Sequence, residues 1–175
     1  MKRQKRLIIY TGNGKGKTTA ALGQVWRALG HDLHCGVIQF IKHHPHRFGE
    51  YRYAQRQGVS WYSFGEGFTW DQQDPDISRA TSFRGWEFFT QLVSEGQFDL
   101  LVLDEFSYPF HQLWLSEQEV CRWLKLHREL LPHLVITGRD MPRGLIELAD
   151  TVTSMDEVKH GFSLHNMPAQ RGIEF

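Results

Sequence analysis

Cysteine is scarce in this sequence: only Cys35 and Cys121 occur in 175 residues, far apart and in no C-x-x-C pair. That excludes a disulfide framework and reads as reduced thiols in a cytoplasmic protein. Net charge is missing too. Lys+Arg and Asp+Glu both number 20, so the chain lacks the broad basic surface of a nucleic-acid binder, and no nucleic-acid partner is expected. The basic start, MKRQKR (residues 1–6), reads as a solvated tail. No apolar run reaches the roughly 18 to 20 residues of a spanning helix, and LIIY after the tail is too short for a secretory core. No membrane partner is therefore expected. Repeats, low-complexity tracts and linkers are also absent, which leaves residues 1–175 as one domain. Hydrophobic residues at 41% and charged residues at 23% supply an ordinary globular core.

The apolar runs alternate in kind along the chain. LIIY (Leu7–Tyr10), CGVIQFI (Cys35–Ile41), DLLVLDE (Asp99–Glu105) and HLVITG (His133–Gly138) predict buried strands, with shorter strands at Ser60–Phe64 and Thr151–Met155. Ala21, Leu22, Val25, Ala28 and Leu29 recur at helical spacing before a stop at Gly30. A second helix is predicted over Ser82–Glu95, with Phe83, Trp86, Phe89 and Val93 on one side. Ser116 and Glu119 form a capping box opening a third helix, which carries Val120, Trp123, Leu124 and Leu131 and ends at Pro132. A short fourth helix covers Leu145–Ala149. Buried strands alternating with helices predict an α/β fold, a mainly parallel sheet with helices on both faces. Ligands of such sheets bind beyond the carboxyl ends of the strands, where the glycine loop, Asp104–Glu105 and Thr137–Arg139 all fall.

The loop TGNGKGKTT puts Gly12, Asn13, Gly14, Lys15, Gly16, Lys17, Thr18 and Thr19 between the first strand and the first helix. Glycines let backbone N–H groups curl around an anion, and the helix start adds its positive dipole end. Lys17 is placed to reach phosphates and the Thr18 hydroxyl to bind Mg²⁺, as in G-x-x-x-x-G-K-[ST], with Thr11 in place of the first glycine. Asp104 and Glu105 arrive at the same edge and offer carboxylate oxygens to that metal, directly or through water. The loop thus predicts a phosphate-loop NTPase-like domain holding a nucleoside triphosphate. Which bond breaks stays open: attack at the terminal phosphorus makes a kinase or ATPase, and attack at the ribose 5′-carbon makes an adenosyl transferase.

TGNGKGKTTAALG, VIQFIK, GEGFTW, LVLDE, VITGRD, IELADTVT and KHGF…AQRGIEF follow one another in an order that resembles the ATP:corrinoid adenosyltransferases of the phosphate-loop type, from Arg6 to the end. The resemblance implies that cobalt(I) of cobalamin or a precursor attacks the 5′-carbon of ATP and that triphosphate leaves. It implies ATP, Mg²⁺ and a corrinoid at the site, a reducing flavoprotein as electron donor, and a homodimer. It places Phe68 and Trp70 of GFTW against the lower face of the corrinoid, where an apolar wall excludes a ligand from cobalt. It further implies phosphate contacts for Arg139, a site role for Arg27 on the first helix, and Glu50 at the corrinoid entrance.

The sequence departs from the family pattern in places. Ser154 stands where a glutamate is usual, SLHNMPAQ is longer than usual and implies a different path for the tail, and only six residues precede the first strand, where many relatives carry a segment able to cover the site. His43, His44 and His46 cluster in KHHPHRF, but no ligand set of known spacing accompanies them, so this reads as a polar surface loop. Two alternatives remain: a kinase or ATPase, which would release ADP, and a non-enzymatic ATP or corrinoid binder, which would form no cobalt–carbon bond.

Overall fold

The computed structural model describes residues 5–41, 48–65, 75–162 and 166–174. Among these described residues twelve elements follow one another: β1 (Leu7–Thr11), α1 (Lys17–Leu29), β2 (Cys35–Phe40), α2 (Gly49–Arg56), β3 (Ser60–Phe64), α3 (Pro75–Glu95), β4 (Leu100–Asp104), α4 (Tyr108–His111), α5 (Glu117–Leu126), β5 (His133–Thr137), α6 (Arg143–Leu148) and β6 (Thr151–Ser154). The strands form one six-stranded sheet in the order β3-β2-β4-β5-β1-β6, and every pair is parallel.

Strand alternation divides the apolar residues between two cores. Leu7 and Ile9, Ile38 and Phe40, Leu101 and Leu103, and Leu134 and Ile136 point to one face, under α3, α5 and α6. Val37, Leu100, Val102 and Val135 point to the other, under α1 and α2. Both faces are covered, so these strands read as continuous apolar runs rather than alternating ones. Each fully buried Leu, Ile or Phe contributes about 1.5–3 kcal/mol. α1 packs through Ala21, Leu22, Val25 and Ala28, the spacing read from sequence.

Helices α2, α3 and α5 differ from expectation, and the short α4 (Tyr108–His111) was not expected either. α3 begins at Pro75, not Ser82. Its first half buries Ser78, Thr81 and Ser82, small polar residues that hide the helical period, and Phe83 lies beside that stripe at 49% exposure, not on the core face. α5 opens as predicted, with Ser116 Oγ accepting from the Glu119 N–H, but ends at Leu126. His127 caps it by donating from Nδ1 to the Trp123 carbonyl, so the buried Leu131 reaches the core from beyond the helix. α2 was not expected; its single buried residue, Ala54, gives no periodic signal.

The edge strand β6 is pinned at its start. Asp150 accepts from the Leu7 N–H at 2.7 Å and from the Arg128 guanidinium. Partial burial raises the Asp150 carboxyl pKa, but these two donors outweigh it and hold the group below the ordinary carboxylate range. Its stabilisation is therefore complete above that range and fades as pH falls through the depressed value. Asp150→Asn is expected to cost roughly 0.5–1 kcal/mol at neutral pH, since solvent screens this partly exposed pair. Urea melts should show the gap between variant and wild type closing in acid; a pH-independent gap would contradict the linkage.

Candidate active site

The loop after β1 owes its glycines to a neighbouring stretch of chain as well as to its own curvature. Gly12 and Gly16 are left-handed, with φ of 92° and 107°. The backbone leaving β6 lies directly on the loop: the Met155 N–H donates to the Thr11 carbonyl at 2.9 Å, and the Gly14 N–H donates to the Met155 carbonyl at 2.7 Å. A Cβ on Gly12 would sit 2.5 Å from the Met155 carbonyl oxygen, and one on Gly14 would sit 2.6 Å from that of Asp156. The Gly14 amide is thus committed to Met155. The donors suited to an anion are those of the first turn of α1, whose N–H groups have no acceptor within the helix. Gly16 caps that helix with no side-chain hydrogen bond.

Lys17 opens α1 and curls back over the loop, its Nζ donating to the Gly12 and Gly14 carbonyls, each at 2.7 Å. These bonds take two of the three ammonium protons. Burial pushes the Lys17 pKa down; Glu105 opposes that, Arg139 adds to it, and Asp104 opposes it.

Beside Lys17 lies a fully buried carboxylate. Asp104, the last residue of β4, accepts from the Thr18 hydroxyl at 2.8 Å and the Thr137 hydroxyl at 2.7 Å on Oδ1, and from Gln39 Nε2 at 2.8 Å on Oδ2. The Thr137 hydroxyl in turn accepts from the Glu105 N–H at 3.0 Å, and the Thr137 carbonyl accepts from Phe106. Together these bonds hold the turn after β4, where Glu105 takes a left-handed φ of 58°.

A cleft of about 520 Å³ joins these parts, lined by Gly14–Thr19, Glu105, Arg139 and Glu50. Its remaining walls are Leu22 and Trp26 of α1, Gly49 and Tyr53 of α2, and Gly172–Glu174 of the tail. The tail returns to the loop: Glu174 takes Lys15 Nζ at 2.5 Å and the Gln170 N–H at 2.7 Å. The Lys15 and Gln170 hydrogen bonds hold the Glu174 carboxyl below the usual range.

Mg²⁺ fits this donor set. The Thr18 hydroxyl spends its proton on Asp104, which leaves oxygen lone pairs directed away from that bond. Three donors already engage Asp104, so it suits orienting Thr18, while Glu105 lines the cleft itself. Among the described residues no group of three or more His, Cys, Asp or Glu could hold a metal ion.

Lys17, Thr18, Thr19, Glu50, Glu105 and Arg139 therefore meet in one cleft, with Asp104 behind Thr18. Arg27 is exposed on α1, donates to Gln24, and is not among the described residues lining that cleft; Trp26 occupies the lining position on that turn. Phe68 and Trp70, and His43, His44 and His46, lie outside the described residues. Sequence reasoning missed Gln39, although a glutamine inside an apolar strand was a visible signal. It also missed Trp26, one step further along the Thr18–Leu22 stripe, and Met155, whose contact with the loop nothing local announces.

Residues 3–175 match the family described as ATP:corrinoid adenosyltransferase BtuR/CobO/CobP. The chain belongs to this family. It is 40% identical over 171 residues to a corrinoid adenosyltransferase of Pseudomonas aeruginosa, covering 97% of this chain and 83% of the relative. It is 38% identical over 170 residues both to a corrinoid adenosyltransferase of Escherichia coli and to the corrinoid adenosyltransferase CobA of Salmonella typhimurium, covering 97% of this chain and 85% of each relative. No helix among the described residues of this corrinoid adenosyltransferase-family chain is long and apolar enough to cross a membrane.

Proposed function

We propose that this protein transfers the 5′-deoxyadenosyl group of ATP to cobalt(I) of a corrinoid and releases triphosphate. The observation that carries the reading is the cleft in which Lys17, the first turn of α1, the Thr18–Asp104 pair and Arg139 converge, within a chain matched to this family almost end to end.

In this reading the phosphates lie over the start of α1. The cobalt electron pair forms the new cobalt–carbon bond as the 5′-carbon–oxygen bond breaks, and the departing oxygen keeps that bond's pair. No proton is lost from the nucleophile, so no general base is needed. The chain instead meets charge developing on the leaving group with Lys17, Arg139 and the helix N–H groups. A well-placed donor of this kind contributes about 3 kcal/mol to the transition state. Mg²⁺, when bound, neutralises further phosphate charge; Thr18 and Glu105 would hold it. Phe68 and Trp70 wall the lower face of the corrinoid, and Glu50 stands at its entrance. A flavoprotein supplies the electron, and the protein works as a cytoplasmic homodimer.

Anaerobic incubation with ATP, Mg²⁺ and chemically reduced cobalamin tests the activity. A light-sensitive alkylcobalamin spectrum and stoichiometric triphosphate are expected. ADP as the product would make it a phosphoryl-transfer enzyme, and binding without a spectral change would make it a carrier.

A further inference from the structure

The triphosphate cradle accounts for one end of the cleft, and the other end is aromatic. Thr18, Leu22 and Trp26 recur every four residues along α1 and all line the cleft, so one stripe of the helix forms its floor. Eight residues separate Thr18 from Trp26, about 12 Å along the axis, comparable to the reach of a nucleoside triphosphate from its phosphates to its base. Tyr53 meets Trp26 there edge to face, with ring centroids 5.1 Å apart and planes at 84°. Trp26 is half-buried against the second core, and Tyr53 is 50% exposed. One ring is anchored by packing and the other braces it from α2, which leaves apolar ring surface on the cleft. Neither residue is needed to build the phosphate end.

We propose that Trp26 and Tyr53 form the platform that receives the purine of ATP and sets the preference for a purine nucleotide. This rests on the reading of the loop and Lys17 as the triphosphate cradle. A fused two-ring base offers more stacking surface than a pyrimidine, and a rigid aromatic pair loses little entropy on receiving it. With the phosphates fixed at the start of α1 and the base fixed at Trp26, the ribose is held between them, which limits where the 5′-carbon can lie.

Calorimetric titration of ATP, CTP and inorganic tripolyphosphate into wild type, Trp26→Leu and Tyr53→Ala tests this, with thermal melts to check folding. Leucine keeps apolar packing at position 26, and Tyr53 is exposed enough for truncation to spare the fold. Both variants are expected to lose about tenfold to a hundredfold in ATP affinity, to bind CTP and ATP more equally, and to keep wild-type affinity for tripolyphosphate. Unchanged ATP affinity beside normal tripolyphosphate binding would overturn the proposal. So would equal losses for ATP and tripolyphosphate, which would make the pair a support of the loop. Failure of tripolyphosphate to bind the wild type would overturn the cradle reading itself, and the platform with it.

Discussion

Replacing Lys17 by methionine is expected to lower adenosyl transfer by a factor of about 100 or more, with ATP and tripolyphosphate affinities falling together. Two losses combine. The triphosphate loses a cation that is mostly withdrawn from water and acts at reduced dielectric. The loop loses the ammonium that ties the Gly12 and Gly14 carbonyls together. Stability should suffer far less, because methionine retains the apolar stem and removes a charge whose burial is itself unfavourable, as the lowered pKa of Lys17 records. A melt near wild type beside a collapse in turnover is the signature sought. Turnover near wild type would remove Lys17 from the reaction.

The parts of this site legible in the sequence are those that one short segment defines. A strand, a glycine loop, a lysine and a threonine in succession specify the cradle, because the turn, the helix start and the cation are neighbours in the chain. β4 was legible for a similar reason: apolar residues ending in two carboxylates announce a buried strand with its chemistry at the tip. What escaped reading depends on contacts between distant segments. Gly12 and Gly14 were read as serving an anion, whereas Met155 crowds both of them, Asp156 also crowds Gly14, and Gly14 donates to Met155. α2 buries a single alanine, so its helical period never reached the composition, yet it brings Glu50 and Tyr53 to the cleft. The tail likewise closes a wall of the cleft through an ion pair spanning most of the chain, Lys15 to Glu174.

Asp104 provides the second large effect, and two substitutions separate its structural from its chemical share. Asp104→Ala deletes the acceptor shared by Thr18, Thr137 and Gln39. Thr137 and Gln39 are essentially inaccessible to water, so their donors are stranded. A loss of about 3 kcal/mol or more is expected, together with loss of activity. Asp104→Asn keeps the same shape. Its amide oxygen still accepts from both threonines, and its new N–H₂ meets Gln39, whose own amide can turn to present oxygen. Unfolding in urea should then place Asp104→Asn within about 1 kcal/mol of wild type, since the exchange also removes a buried charge. Activity should fall nonetheless, with a higher Mg²⁺ concentration needed for half-maximal rate, because the Thr18 oxygen loses the anion that holds its proton and sharpens its lone pairs. If Asp104→Asn instead matched wild type in both rate and Mg²⁺ dependence, Asp104 would be a peg for the β4–β5 edge and nothing more, and Glu105 would be the remaining carboxylate to carry the metal chemistry.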